Sequence, residues 1–272
     1  MSLDKTLFIG TATPKPVSLP LKAILDHYAV IRDAMARTGC VKPHDLPTLV
    51  VNTSFNYAFN AYKSISLLLP ELYHESGAAV LRQLWEVSLN LHWIGVDPES
   101  RSQDFCNFTI MEHRKLISRS GDPTELQAFD ADTKRLQERF QYQTKKKRIQ
   151  RHEHFSKNDI YDRASKLGDP WNDEYQFVFR FASMHVHGAP GAVLRDVFQT
   201  IYTHPKTREQ NSASLIAILA IKVMVRNGEL LVTLDIIPDA SKVMEAFKSF
   251  QETIPSEGTK LFSLLGTANY LR

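Results

Sequence analysis

An all-α fold is what this chain predicts, and three observations lead there. Apolar residues recur every three or four positions along almost every segment, which is the spacing of one helical face. The 11 glycines and 13 prolines fall mostly between those segments, where helix breakers belong. Strand-like runs are confined to Leu49-Val50-Val51 and Leu230-Leu231-Val232-Thr233-Leu234, and both also fit helices. The 272 residues are 43% apolar and 23% charged, an ordinary globular composition. That excludes a disordered chain, a collagen-like repeat and a membrane bundle. A chain of this length buries roughly three quarters of its unfolded surface, and a single all-α domain spanning residues 1–272 is expected.

The elements follow in order. Leu19–Arg37 carries Leu21, Ile24, Leu25, Tyr28, Ile31 and Met35, with Gly39 placed as a C-cap. Asp45–Leu69 is a second helix, stopped near Pro70. Its Phe55, Phe59 and Tyr62 read as core, and Asn52, Asn56 and Asn60 as solvent-facing or packing residues. Ala78–Val96 is very apolar. Ser100–Arg119 ends at the break Gly121-Asp122-Pro123, and Thr124–Lys147 reads as a long polar helix. Asn158–Leu167 stops at Gly168, and Asp173 to about Gly188 forms another apolar helix. Ser212–Asn227 and Ala240–Thr253 complete the set.

Cys40 and Cys106 alone exclude a disulfide scaffold or a cysteine-rich zinc site. Residues 1–10 have no basic stretch followed by a long apolar run, the pattern of a secretory signal. The most apolar run, Ala213–Val225, is 13 residues long and contains Lys222, short of the roughly 20 residues a membrane span needs. A cytoplasmic protein without membrane contact is expected.

Two apolar helices carry polar stripes. In Ala78–Val96, Arg82, Glu86 and Asn90 recur at i, i+4 and i+8. A buried unpaired charge costs several kcal/mol, so Arg82 and Glu86 should pair with each other or across to a facing helix. Such a stripe serves either as a packing ion pair or as the polar wall of a pocket. In Asp173–Gly188, Arg180, Ser183 and His187 sit at i, i+3 and i+7, within about 60° of one another on one face. His187 lies in the last turn, where the helix dipole favours imidazolium. It reads either as a capping histidine or as an acid/base group beside Arg180. His185 points about 200° around a helix from one taken two positions on, so His185 and His187 cannot share one metal ion. His152-Glu153-His154 lies in a loop with no third ligand close in sequence. Neither a metal site nor a cofactor is expected.

At these two helices the chain resembles an uncharacterised bacterial family, domain of unknown function 5677. The resemblance rests on Leu81-Arg82-Gln83-Leu84-Trp85-Glu86, a long apolar helix ending at Asp97-Pro98, the linking stretch Phe155–Ala164, and Tyr175 followed by Ser183-Met184-His185-Val186-His187-Gly188. It covers approximately residues 67–194. The second motif also resembles the signature of the HEPN superfamily (higher eukaryotes and prokaryotes nucleotide-binding), an Arg followed four to six residues later by a His. Arg180 with His185 and Arg180 with His187 both fit, and the shared face with Ser183 favours His187.

The resemblance implies a HEPN-like helical bundle with additional N- and C-terminal helices. It implies RNA binding and, as in the catalytic members, metal-independent endoribonuclease activity by a homodimer in a toxin or phage-defence setting, beside an antitoxin or defence partner. His187 would move the proton, Arg180 would hold the scissile phosphate, and Ser183, Glu86 and Arg82 would support them. Two other readings stay open: a non-catalytic helical interaction module, and a nucleotide-binding protein.

Charge distribution bears on the same question. The net charge of +3 looks neutral, yet residues 134–154 hold eight Lys or Arg against two acids, a net +6. The remainder is −3. Lys145, Lys146, Lys147, Arg148 and Arg151 are the candidate nucleic-acid contacts, with Phe140, Tyr142 and Phe155 placed to stack on bases. The other reading of the run is a solvated helix face.

Overall fold

The computed structural model describes residues 45–69, 73–120, 136–144, 147–179, 182–183 and 205–236. The outer helices expected at Leu19–Arg37 and Ala240–Thr253 lie outside the described residues. About 80% of the described region is helical, so the all-α expectation holds at that level. The elements are α1 (Leu46–Leu68), α2 (His74–Val96), α3 (Pro98–Ser120), β1 (Gln141–Gln143), β2 (Ile149–Arg151), α4 (Ile160–Leu167), α5 (Trp171–Glu174), a π-helical turn at Tyr175–Phe179, and α6 (Pro205–Thr233). No described helix is long and apolar enough to cross a membrane.

The chain divides into two compact units, and α1 and α2 each contribute to both. The first unit takes α1 from Phe55, α2 to Ser88, and the chain from Gln176 onward. Its core draws Phe55, Phe59, Tyr62 and Ile65 from α1, Leu81, Leu84 and Trp85 from α2, and Val178 and Ala182 from the π-helical turn and the turn after it. α6 is buried almost all round from Leu215 to Val225, with Lys222 exposed, as a helix apolar on every face must be. Asn56 and Asn60 are exposed, about 100° around the helix from the buried Phe55 and Phe59. Gly77 lets these helices close up: a Cβ there would stand 3.0 Å from Leu69 Cδ2 and 3.8 Å from Ile216 Cδ1.

The second unit takes the start of α1 and residues Leu89–Tyr175. Asp45 precedes α1, and its carboxylate accepts from the Thr48 hydroxyl at 2.6 Å. α3 presents Phe105, Phe108 and Met111 to the chain that returns after it. Phe105 meets Phe155 edge-on at 5.1 Å, and Phe108 meets Phe140 at 5.5 Å. Leu136, Phe140 and Met111 form a small buried cluster. An Arg139–Asp104 ion pair at 2.6 Å ties the turn at 136–139 back to α3. α4 is capped by Asp159, whose carboxylate accepts from the Asp162 N–H at 2.7 Å, and ends at Gly168 with φ of 72°.

The structure corrects three element readings. The long polar helix expected at Thr124–Lys147 does not run to Lys147: the described chain leaves helical geometry at Phe140 and turns into an antiparallel hairpin. Gln141 pairs with Arg151, Tyr142 with Gln150 and Gln143 with Ile149. The two runs that fit either a strand or a helix are helical at residues 49–51 and 230–233, in keeping with the longer helical apolar patterns that enclose them. α6 starts at Pro205, seven residues before the expected Ser212, and ends at Thr233. The helix expected from Asp173 starts at Trp171 and passes through the π-helical turn.

Candidate functional site

In the first unit, α2 brings Arg82 and Trp85 to the segment that leads into the Arg180 motif. The Arg82 guanidinium lies over the Phe179 ring, 4.6 Å from its centroid, and the Trp85 ring stands 5.8 Å from the same ring. The geometry follows from spacing: positions 82 and 85 share one helical face, and one aromatic ring spans both. Ser183 donates its hydroxyl to the Phe179 carbonyl oxygen, the bond of a serine to the residue four positions back in a helix. Arg82, Glu86 and Ser183 are half-buried, so the stripe is less enclosed than an apolar helix suggested. The Arg82 guanidinium is engaged by the Phe179 face. Arg180, His185 and His187 lie outside the described residues.

The third member of the stripe has a different job. Asn90, in the second unit, accepts from Arg163 Nη1 through its side-chain oxygen. Arg163 is 2% exposed, and its Nε also donates to the Asp159 carbonyl oxygen at 3.3 Å. The link joins α2 to α4 across 73 residues. Sequence reasoning missed Arg163, since an arginine in a short, polar, capped helix reads as surface. Nearby, Arg101 donates to the Trp93 carbonyl oxygen at 2.6 Å and stacks on the Trp93 ring at 3.9 Å. These are packing arrangements, each satisfying a cation with an oxygen or an aromatic face.

The basic segment is a hairpin rather than a helical face. Thr144 closes its loop: the Thr144 N–H donates to the Arg148 carbonyl at 2.8 Å, and Thr144 Oγ1 accepts from the Arg148 N–H at 3.1 Å. Lys147 sits in left-handed conformation at φ of 57°. Lys147 and Arg148 are exposed. Arg151 is the last residue of β2, and Lys145 and Lys146 lie outside the described residues. Of the three aromatics expected to stack on bases, Phe140 and Phe155 are 0% and 3% exposed and belong to the core. Tyr142 alone stays accessible, at 41%.

The two loop histidines differ sharply. His154 is packed against Phe155 and Phe108 at 4.3 and 6.3 Å, and its Nδ1 accepts from the Ser156 N–H at 3.2 Å. Burial, with a smaller contribution from the Arg163 charge, pushes its pKa down to about 3, so it is neutral at pH 7. His152 is more open and lies against Tyr142 at 4.6 Å; burial and then Lys157 lower its pKa. Among the described residues, no group of three His, Cys, Asp or Glu could hold a metal ion. Cys106 is a free, half-buried thiol whose pKa burial raises.

The described chain is mainly helical, with the Arg82–Glu86 helix against the segment at Phe179 and a basic hairpin between them in sequence. The chain belongs to a family of unknown function, DUF5677, whose model matches residues 48–200, more than half of its length. The match takes in most of α1, beginning at residue 48 rather than at the Leu67 that the motifs alone indicate. Comparison with curated proteins and with solved structures gives no match.

Proposed function

We propose that this protein is a HEPN-like helical protein that binds RNA and cleaves it by metal-independent acid/base chemistry. On this reading it acts in the cytoplasm as a homodimer, in a toxin or phage-defence setting, beside an antitoxin or defence partner. The observation that carries the reading is the seating of Arg82 and Trp85 on Phe179. It ties the first motif helix to the residue immediately before Arg180 in sequence, which supports reading the two motifs together. Ser183, bonded to the Phe179 carbonyl, adds a second tie within the same segment.

The chemistry follows from the residue types. A 2′-oxygen attacks the adjacent phosphorus and the 5′-oxygen leaves, giving a 2′,3′-cyclic phosphate and a 5′-hydroxyl. His187 takes the 2′-hydroxyl proton or protonates the leaving oxygen, and Arg180 holds the charge that builds on the phosphate. Arg82, Glu86 and Ser183 position that pair. Lys147 and Arg148 supply phosphate contacts, with Lys145, Lys146 and Arg151 in the same run.

The test incubates purified protein with total RNA and a tRNA pool in excess chelator. Cleavage with cyclic-phosphate ends is expected, and Arg180→Ala or His187→Ala should abolish it while far-UV circular dichroism is unchanged. Full activity in His187→Ala overturns the assignment of that residue, and intact RNA with the wild-type protein overturns the catalytic reading. A second reading has its own support: Arg82 on an aromatic face and Ser183 on a backbone carbonyl are both structural uses, as a non-catalytic helical module requires. Intact RNA together with a large loss of stability in Arg82→Ala favours that module. Thermal stabilisation by free nucleotides instead favours a nucleotide-binding protein.

A further inference from the structure

The hairpin is built unlike the rest of the described chain. Every residue of β1 is exposed, and Ile149 and Gln150 of β2 are exposed as well. Neither face of the ribbon is a core face. A two-stranded hairpin without a buried face is marginal in water, and this one is anchored at its base instead. The His152 N–H donates to the Phe140 carbonyl at 2.8 Å, and Phe140 is fully buried beside Phe108. What the ribbon carries outward is one organised polar-aromatic face. Tyr142 lies against His152 with ring centroids 4.6 Å apart and planes 37° from parallel. The Tyr142 hydroxyl donates to Gln150 Oε1 at 3.0 Å, so its ring is held while 41% of the residue stays accessible. At the tip, Lys147 occupies a left-handed conformation at φ of 57°, which L-residues other than glycine rarely adopt. Lys147 and the neighbouring Arg148 are both exposed, so two cations stand at one end of the ribbon, where they can meet phosphates.

We propose that the Tyr142–His152 pair is a stacking platform for an unpaired nucleobase, with Lys147 and Arg148 holding the flanking phosphates. The inference rests on the RNA reading above and sharpens it to single-stranded RNA. Stacking on an exposed ring requires a base free of its own helix, and it tolerates any base because each has a π-face. Phosphate contacts from two cations at one end of the ribbon set the backbone's path without reading sequence.

The experiment measures fluorescence anisotropy of the full chain with a labelled 12-nucleotide RNA, as a single strand and as a blunt duplex, at 50 and 200 mM salt. The single strand is expected to bind more tightly. Tyr142→Ala should weaken single-strand binding about tenfold, with duplex binding unchanged, and Tyr142→Phe should restore it because the ring remains. Lys147→Ala and Arg148→Ala should weaken both ligands and lower the salt slope by about one each. Far-UV circular dichroism and thermal unfolding of each variant verify that the body is intact. Wild-type binding that is unaffected by Tyr142→Ala, or that favours the duplex, overturns the platform while leaving the RNA reading in place. Absence of binding to either RNA overturns both. Binding without cleavage leaves the platform standing and removes only catalysis.

Discussion

Asn227 shows how much one polar residue can organise. It sits fully buried in the apolar run of α6 and donates to Ser88 Oγ at 2.8 Å, with Met224 Sδ at 3.7 Å as a weak second acceptor. Ser88 is likewise fully buried on α2. A buried amide that loses its acceptor bears the full desolvation cost of about 1–3 kcal/mol. Ser88→Ala should therefore lower stability by about that amount in urea unfolding. The pair Ser88→Ala with Asn227→Leu should recover part of it, because replacing both partners with apolar groups removes the unsatisfied atom. His154 yields a prediction in pH. Its pKa is about 3 in the folded protein against 6.5 for an ordinary histidine, so between those values the unfolded chain binds a proton that the folded chain refuses. Stability must fall as pH drops from 6.5 toward 3, by about 1.4 kcal/mol per unit from this residue, and must be indifferent to His154 above 6.5. Urea unfolding at pH 7, 6, 5 and 4 should show the slope growing toward that value once pH is below 6.5, and His154→Gln should flatten it by about one proton.

Among the elements, legibility follows how local the governing physics is. α1, α2 and α3 were readable because apolar spacing and a stop, such as Pro70 or Asp97-Pro98, lie within each segment. The Asn56 and Asn60 face was readable for the same reason. The hairpin was not. Its loop runs Thr144-Lys145-Lys146-Lys147-Arg148, without the glycine or asparagine that marks a left-handed turn position, and lysine and arginine favour helices. The signal that was present is Thr144, which can close a turn with its hydroxyl, and the Gln-Tyr-Gln and Ile-Gln-Arg alternation on either side. The site divides in the same way. The order of the motifs was legible, whereas Arg82 turning to Phe179 and Asn90 meeting Arg163 are set by packing between segments far apart in sequence. The hairpin's strain is testable: Lys147→Gly should relieve it and stabilise the ribbon by about 1 kcal/mol, read as increased hydrogen-exchange protection of the Thr144 and Lys147 amides. The same change removes a charge, so it should weaken RNA binding as it strengthens the hairpin. A hairpin that gains nothing from glycine would mean that Lys147 is not strained there.

At the scale of the whole chain, the division into two units cuts through helices rather than through linkers. One boundary falls between Ser54 and Phe55 inside α1, and another between Ser88 and Leu89 inside α2. A helix interior cannot melt on one side of such a point without exposing fresh ends on the other, and new helix ends carry the cost of nucleation and of unsatisfied backbone groups. The two units should therefore unfold together despite their separate cores. The tryptophans report this directly, since Trp85 belongs to the first unit and Trp93 and Trp171 to the second. With Trp85→Phe, fluorescence comes from the second unit alone, and with Trp93→Phe and Trp171→Phe combined, from the first alone. Both should melt at the midpoint that far-UV circular dichroism gives for the same variant. Ser88→Ala in the first unit should shift the fluorescence midpoint of the second unit by the same amount as its own. Two separated transitions, or a Ser88→Ala shift confined to Trp85, would mean that α1 and α2 break at the unit boundaries, and that the hairpin-bearing half folds independently of the half that holds Arg82 and Ser183.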